Sequence, residues 1–316
     1  RSCRVLLEPI HMKKITFILH GNHRKKDQLK AAVEKASKNE FEISFVETQA
    51  VGDGMTVSKR AVEEGAEYLI ACGGDGTVNE VVNGWIQSAS EARENVILGV
   101  LPGGTGNDFS KSIRAKGGIE QLLQYIRSDD WFEMDLGWMR FQDQEGNTSE
   151  RYFDNIADVG IGGQVVMNTA KAGKWMGADL IYFTSILKSF FQYQHASISL
   201  SAPGFEWQGK ILSLVFANAR YFGSGLCIAP EADLSDGQME IIKIAKVSVL
   251  DYLMYMGKVK RGEKIVHPEV CYHRFTECKV ESLGDPVPID MDGEFVGYTP
   301  LEIKMHQKVV KLLGRP

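Results

Sequence analysis

Short apolar runs alternate with amphipathic polar segments along the first part of the chain. The apolar runs predict strands at residues 15–19, 41–46, 68–72 and 96–101. The segments between and after them predict helices at residues 25–37, 55–64, 78–86 and 118–126. Regular alternation of this kind is typical of a parallel sheet covered by helices on both faces. We therefore expect an α/β N-terminal domain with a parallel sheet.

The pattern changes after residue 130, where period-2 alternation and aromatic residues become common. Strands are predicted at residues 131–139, 152–159, 196–200, 210–217, 238–244, 274–280 and 301–305. These strands indicate a second, mainly antiparallel β-rich domain. We place the two domains at residues 13–130 and 131–316, and leave open whether the last residues return to the first domain.

One helix is predicted inside the second domain, at residues 174–194, because apolar residues recur there at near-helical spacing. The simpler interpretation is a helix packed on the sheet. The alternative is that its aromatic face lines an acyl-chain cleft or contacts a membrane, helped by Lys171, Lys174 and Lys188. A basic run at residues 258–261 leaves a similar choice between a solvated helix face and a contact with anionic lipid headgroups.

Composition is that of an ordinary globular protein. The 316 residues are 44% hydrophobic and 24% charged, enough for two cores. The net charge of −5 gives no reason to expect a nucleic-acid partner. Five cysteines without paired short spacings predict reduced thiols in a cytosolic protein rather than a zinc site.

No apolar stretch approaches the roughly 18–20 residues that span a bilayer, and the start lacks a signal-peptide pattern. Residues 1–12 are expected to be a disordered leader or not part of the natural protein. The reason is that Met12 is a suitable translation start and that a predicted strand follows it at once.

Two glycine-rich turns follow the third and fourth predicted strands. The first runs from Gly73 to Glu80 and the second from Pro102 to Asp108. Glycine permits positive φ and close approach of a ligand to the main chain, so consecutive N–H groups can converge on an anion. A helix that starts after such a turn adds the positive end of its dipole. In α/β sheets ligands bind outside the carboxyl ends of the strands, which is where both turns emerge.

The pairing of Gly-Gly-Asp-Gly-Thr with Pro-Gly-Gly-Thr-Gly-Asn-Asp resembles the diacylglycerol kinase catalytic-domain family. The resemblance covers nearly the whole chain from Met12, because later elements match in order. It implies an ATP phosphate site with Asp75 near the γ-phosphate and its magnesium. The residues that it assigns to the nucleotide are Thr48, Gly73, Gly74, Asp75, Gly76, Thr77, Asn79, Glu80, Gly103, Gly104 and Thr105. For Asn79 and Glu80, helix capping is an equally good explanation.

The loop after the first strand departs from the family. Members commonly have an Asn-Pro-x-Ser-Gly pattern there, whereas this chain has His20-Gly21-Asn22-His23-Arg24-Lys25-Lys26. Its basic residues would supply charge in place of hydroxyl groups and amides.

Two acidic clusters follow in the second domain. Paired carboxylates and free carbonyls on a tight turn suit a hard cation. The resemblance places a structural magnesium there, on the side chain of Asp236 and the backbone carbonyls of Asp233 and Gln238. A turn leading into a strand is the alternative. The resemblance also assigns Glu294 as general base and Asp292 as its neighbour in catalysis, although Asp-Gly by itself is first a turn signal.

Together these observations predict an ATP- and Mg²⁺-dependent kinase that phosphorylates a lipid hydroxyl, of diacylglycerol or a similar lipid. Catalysis is expected from Asp75, Asp292 and Glu294. The enzyme would be cytoplasmic and visit membranes peripherally, and a homodimer is left open. Two alternatives remain. One is an NAD kinase-like enzyme with a soluble acceptor, and the other is a non-catalytic regulator that binds nucleotide or lipid.

Overall fold

The structure is a computed structural model that describes residues 12–21, 26–113, 115, 117–171 and 178–315. The predicted leader lies outside the described residues except for Met12. The same holds for residues 22–25 of the altered loop and for residues 174–177 of the predicted helix.

The first half alternates strands and helices as the pattern predicts. Its elements are β1 (Lys14–Leu19), α1 (Lys26–Ser37), β2 (Glu42–Glu47), α2 (Asp53–Glu63), β3 (Tyr68–Gly73), α3 (Asp75–Ile86), α4 (Ser90–Arg93), β4 (Ile97–Pro102), α5 (Asp108–Ser112) and α6 (Gly118–Ser128). The strands pair in the order β2-β1-β3-β4, and every pair is parallel. The predicted parallel α/β fold is therefore confirmed.

Successive side chains of each strand point to opposite faces, so the parallel sheet is buried on both sides. On one face Ile18 and Leu69 pack against Val81 of α3. On the other face Phe17 and Ile70 belong to the same apolar cluster as residues of α6. Burial on both faces explains why these strands are almost continuously apolar.

The second half is mainly β structure. Its elements are β5 (Trp131–Gln142), β6 (Thr148–Phe153), β7 (Ile156–Gly160), α7 (Ile161–Lys171), α8 (Ala178–Gln192), β8 (Ala196–Ala202), β9 (Phe205–Ile211), β10 (Ser213–Ala217), β11 (Tyr221–Phe222), β12 (Leu226–Cys227), β13 (Met239–Ile244), α9 (Val249–Lys260), β14 (Val270–Phe275), β15 (Glu277–Ser282), β16 (Pro288–Met291) and β17 (Glu294–Leu313).

The strands of the second half pair antiparallel, as predicted, in the order β14-β13-β10-β7-β16-β17. The end of β17 then pairs in parallel with β4, Lys311 opposite Ile97 and Leu312 opposite Leu98. One sheet therefore runs through both halves. Its central strand begins at Glu294, beside the first half's glycine turns, and ends in the parallel sheet.

Three of the predicted strands each overlap parts of two observed strands. The segment 152–159 is divided at Asp154 and Asn155 because these residues turn their N–H groups toward the Asp292 carboxylate. The segment 210–217 is divided at Leu212, whose N–H pairs with Ile244 and Ala245 carbonyls. The segment 274–280 contains the end of β14 and most of β15. Helices α4, α5 and α7 and strands β11, β12 and β16 were not predicted.

Candidate active site

The two glycine-rich turns pack against each other, backbone on backbone. The Gly103 N–H donates to the Gly73 carbonyl at 2.8 Å. A Cβ on Gly104 would lie 2.4 Å from the Gly74 Cα, so no side chain fits between the turns. Helix α3 starts immediately after Gly74, and no side chain caps that N-terminus among the described residues. Its first amides and its dipole therefore favour an anion at this point.

Three threonines predicted to bind nucleotide lie in different environments. Thr105 is exposed at the tip of the second turn. Thr77 is buried, and a Cβ on Gly73 would meet its Oγ1 at 2.2 Å. Thr48 is also buried, and its Oγ1 accepts the Gly21 N–H at 3.1 Å. Thr77 is therefore packed against the first turn and Thr48 binds the backbone after β1, while Thr105 is accessible to a ligand.

Glu80 contacts a neighbouring helix. Its Oε1 accepts the Gly52 N–H and its Oε2 accepts the Gly54 N–H, each at 2.8 Å. Gly52 and Gly54 lie at the start of α2, where backbone N–H groups have no acceptor within the helix. The carboxylate of Glu80 is therefore engaged in stabilising α2.

Asp75, at the first position of α3, faces the second turn. Its Oδ1 accepts the Phe109 N–H at 2.9 Å, and burial raises the pKa of its carboxyl. Asp108 lies close by and connects the two halves of the chain. Its Oδ1 pairs with Lys111 Nζ at 2.6 Å, and its Oδ2 accepts the Ser224 N–H at 2.8 Å.

Asp292 is held by four donors at the turn between β16 and β17. Its Oδ1 accepts the N–H groups of Asn155 and Ile156, and its Oδ2 accepts the Asp154 N–H. The Asn79 side-chain amide donates to Oδ2 at 2.6 Å. Burial raises the pKa of Asp292 to about 6, an effect that the Ile156 and Asp154 amides oppose. Asn79 thus connects the glycine-turn helix to this carboxylate.

Asp154 is the second carboxyl group of this buried cluster. Its Oδ2 has no hydrogen-bond partner within the described residues. Burial raises the pKa of Asp154 well above its ordinary value, and the charges of Asp292 and Asp75 raise it further. Burial and the neighbouring charges thus favour the protonated form of Asp154, whereas the amide donors around Asp292 favour its carboxylate form.

Glu294 is held by an arginine that the sequence analysis did not identify. Arg151 Nη1 donates to Glu294 Oε2 at 2.8 Å, and Arg151 Nε donates to Asn79 Oδ1 at 3.0 Å. The other oxygen, Oε1, faces the first glycine turn, where a Cβ on Gly76 would lie 3.4 Å away. The predicted general base is therefore held by Arg151 and faces the first glycine turn.

A cavity of about 360 Å³ lies beside Asp75, Asp108 and Asp292, and Gly293, the neighbour of Glu294, is also in its wall. Asp75, Asp108, Asp290 and Asp292 line it together with glycines of the surrounding turns. Carboxylates of this number suit a divalent cation. However, no three acidic, histidine or cysteine side chains in the described parts of the chain converge tightly enough to hold a metal alone. A magnesium ion here would therefore depend on phosphate oxygens and water for its remaining ligands.

A second, mostly apolar cavity of about 140 Å³ adjoins the acidic one and shares Phe222 and Asp290 with it. Helices α7, α8 and α9 and strands β10 and β13 enclose it. Three aspartates lie in its wall, and two of them, Asp158 and Asp290, lie directly opposite each other on β7 and β16. Burial raises the pKa of Asp158 to about 7, and its Oδ1 has no partner among the described residues.

The predicted metal turn is already engaged in protein contacts. Asp236 Oδ1 accepts the Gln238 N–H at 2.9 Å, and Asp236 Oδ2 lies 3.4 Å from Arg274 Nη1. Asp233 Oδ1 accepts from the Ser235 N–H and hydroxyl. A cation on Asp236 would compete with Arg274, and magnesium binding at this turn remains a prediction.

Several site residues were not found from the sequence, namely Arg151, Asp154, Asp158, Asp290 and Lys111. A usable signal existed for Asp158, since it interrupts the apolar run Ile156-Ala157-Asp158-Val159. A charged residue in a buried strand needs a partner or a function.

Comparison with known proteins agrees with this architecture. Residues 14–139 match the model of the diacylglycerol kinase catalytic domain, and residues 156–314 match that of the YegS C-terminal NAD kinase beta sandwich-like domain. The chain belongs to the diacylglycerol kinase family. A diacylglycerol kinase of Staphylococcus carnosus is 30% identical over 92% of this chain and 91% of the relative. One of Staphylococcus aureus is 29% identical over 89% and 84%.

Solved structures show the same fold. The crystal structure of a diacylglycerol kinase from Bacillus anthracis gives a TM-score of 0.70 at 16% identity, covering 98% of this chain and 99% of that one. Yeast NADH kinase gives a TM-score of 0.50 at 8% identity, over 96% and 83%. Membership of this family implies a kinase that uses ATP, usually with a divalent metal. Within the described residues, no helix is long and apolar enough to cross a membrane.

Proposed function

We propose that this chain is an ATP- and Mg²⁺-dependent lipid kinase that transfers the γ-phosphoryl group to a lipid hydroxyl, of diacylglycerol or a related lipid. The product would be a phospholipid such as phosphatidic acid. The observation that carries the proposal is the contact between the two cavities. The acidic cavity in front of the glycine turns shares Phe222 and Asp290 in its wall with an apolar cavity whose lining suits an acyl chain.

The donor side would be held mainly by backbone. The amides at the start of α3 and the two packed glycine turns bind phosphate oxygens, and the exposed Thr105 completes the nucleotide contacts. Asp75 and Asp108 face the same space. When bound, magnesium neutralises the charge that builds up on the phosphate oxygens.

The acceptor side would use Glu294. The acceptor hydroxyl oxygen forms a bond to the γ-phosphorus, and the bond from that phosphorus to the bridging oxygen breaks, so ADP leaves with the electron pair. The hydroxyl proton passes to the Glu294 carboxylate. Arg151 fixes this carboxylate through its Oε2 and leaves Oε1 facing Gly76. Asp292, whose oxygens are already occupied by four donors, acts as a positioning residue for the turn that carries Glu294.

The same proposal includes a cytoplasmic enzyme that meets its lipid at a membrane surface. Self-association as a homodimer is part of the proposal that size-exclusion chromatography with light scattering can test. A single mass equal to that of one chain over a range of concentrations would remove it.

The function is tested with purified protein, labelled ATP and a panel of acceptors. The panel contains diacylglycerol, monoacylglycerol, phosphatidylglycerol, ceramide and a sphingoid base in mixed micelles, with NAD and a sugar as soluble acceptors. We expect label in a lipid product that requires Mg²⁺ and is lost in Asp75→Ala. Label in NAD or a sugar alone would overturn the lipid assignment in favour of a soluble acceptor. If no acceptor is labelled although the protein binds ATP, the result would favour a non-catalytic regulator.

A further inference from the structure

Helix α9 is apolar on two sides. One side faces the apolar cavity and carries Tyr252, Tyr255, Met256 and Val259. Leu250, Leu253 and Met254 occupy the opposite side and are 67%, 41% and 67% exposed. A helix of a water-soluble protein normally keeps charged or polar residues on its outer side, whereas a helix that is apolar all round has apolar surroundings. We call Leu250, Leu253 and Met254 the outer face of α9.

Exposed apolar side chains are concentrated around this helix. Phe191 of α8 is 82% exposed, and the neighbouring Phe190 contacts the Tyr252 ring at 5.5 Å between centroids. Val266 is 83% exposed, and its carbonyl accepts the Tyr255 hydroxyl. In the described part of the chain, five of the nine large exposed hydrophobic residues are on or next to α9. Such clustering marks an interaction surface.

Lysines flank the apolar residues. Lys258 follows Met254 by four residues and continues the spacing of the outer face, whereas Lys246 is exposed just before the helix begins. Lys260 lies one residue before the end of the basic run. Within the described residues, none of these three lysines has a carboxylate in ion-pair distance, whereas Arg261 pairs with Glu263 and Lys264 with Glu231. Lys258 Nζ lies over the Tyr255 ring, 5.3 Å from its centroid, so its contact is with an aromatic ring and not with a carboxylate. Cations of this kind beside exposed apolar side chains complement an anionic, apolar partner.

We propose that the outer face of α9 docks on an anionic lipid bilayer. Apolar side chains enter the acyl boundary while Lys246, Lys258 and Lys260 meet the headgroups. A bilayer is favoured over a protein partner because α9 alone separates this surface from the apolar cavity beneath. A lipid chain could then pass around α9 into the cavity without crossing bulk water. This last step rests on the proposed function, but the docking itself does not.

The docking is tested without nucleotide and without an acceptor lipid. Sedimentation with vesicles of phosphatidylcholine, with and without phosphatidylserine, measures the partition coefficient of the wild type and of the double variant Leu253→Glu and Met254→Glu. We expect the wild type to bind the anionic vesicles and the double variant to bind them at least about tenfold more weakly. The matched control is Leu283→Glu, a similarly exposed leucine far from α9 in sequence, which should bind like the wild type.

A second variant separates charge from insertion. Lys258→Gln with Lys260→Gln should weaken binding to the phosphatidylserine vesicles on the order of tenfold and leave the weak binding to pure phosphatidylcholine unchanged. Equal binding of the Leu253/Met254 variant and the wild type, with both folded by circular dichroism, would overturn the docking surface even if the protein proves to be a lipid kinase. Conversely, vesicle binding through α9 by a protein that phosphorylates no lipid would leave the docking surface standing and remove only the proposed function.

Discussion

Arg151 donates to Glu294 across the site, with Nη1 and Oε2 2.8 Å apart, and the same guanidinium donates to Asn79 at the glycine-turn helix. One side chain therefore sets the position of the candidate base relative to the phosphate turn. Arg151 can bind both side chains at once, because it donates to Glu294 through Nη1 and to Asn79 through its other two nitrogens.

Arg151→Lys keeps the charge but loses the planar fork that reaches both partners. We expect kcat to fall by about tenfold to a hundredfold, because Glu294 is no longer oriented, while the Kd for ATP changes little. Steady-state kinetics and calorimetric titration of ATP measure the two effects. Arg140→Lys is the matched control, since Arg140 forms an exposed pair with Glu150 on the neighbouring strand. A loss of kcat in the control as large as in Arg151→Lys would contradict the orienting role.

Glu294→Gln keeps the shape of the side chain and removes the proton acceptor. Turnover should fall by about 10²–10⁴-fold, the usual contribution of general base catalysis, with ATP binding largely intact. Single-turnover transfer from labelled ATP measures the chemical step directly. If this variant phosphorylates the acceptor at the wild-type rate, Glu294 is not the base, and Asp75 becomes the next candidate because it lines the acidic cavity.

Asp158 should make stability depend on pH. Burial raises its pKa in the folded chain to about 7 from 3.8. Between these values the unfolded chain loses the proton and the folded chain keeps it, so the free energy of unfolding falls as pH rises through this window. Asp158→Asn removes the group, and its free energy of unfolding relative to wild type should rise by about 2–3 kcal/mol from about pH 5 to about pH 8.

Urea unfolding at several pH values measures the effect of Asp158→Asn. Asp285→Asn is the control, because Asp285 is exposed. A difference between Asp158→Asn and wild type that is constant over the whole pH range would show that Asp158 is ionised in the fold.

Arg274 and a cation should compete for Asp236. If magnesium binds at the turn Asp233–Gln238, Arg274→Gln should increase the rise in Tm that magnesium causes, and Asp236→Asn should reduce it. Differential scanning fluorimetry across a magnesium titration, with calcium alongside, gives both shifts. Identical magnesium responses in wild type and Asp236→Asn would eliminate this metal site and leave Asp236 as the partner of Arg274.

The fold was largely accessible from the sequence because its signals are local. The alternation of apolar strands and amphipathic helices gave the parallel sheet, and glycine patterns gave both turns of the candidate phosphate site. Observed elements differ from the predicted ones mainly where a tertiary contact breaks a strand. The division of residues 152–159 is an example, since Asp292 attracts three successive amides from more than a hundred residues away.

The network around the candidate base was not accessible in the same way. Arg151 lies in a polar strand with no motif, and its importance comes from Asn79 and Glu294, which are remote in the chain. Glu80 illustrates the opposite case. It belongs to a motif, yet its two oxygens serve the start of α2, an arrangement that depends on how two helices pack. The roles of the motif residues toward ATP and lipid stay predictions.

Strand β17 also limits how the enzyme can move. It begins with Glu294 and ends hydrogen-bonded to β4. Its pairing with β5 is irregular between His306 and Val310. Asp135 stabilises this segment, because its carboxylate accepts the Lys308 N–H at 2.7 Å and the Gly237 N–H at 2.6 Å. A hinge that swung the two halves apart would have to break this continuous ladder. Opening and closing around substrates is therefore expected from helices and loops at the rim, while the sheet stays rigid through each catalytic cycle.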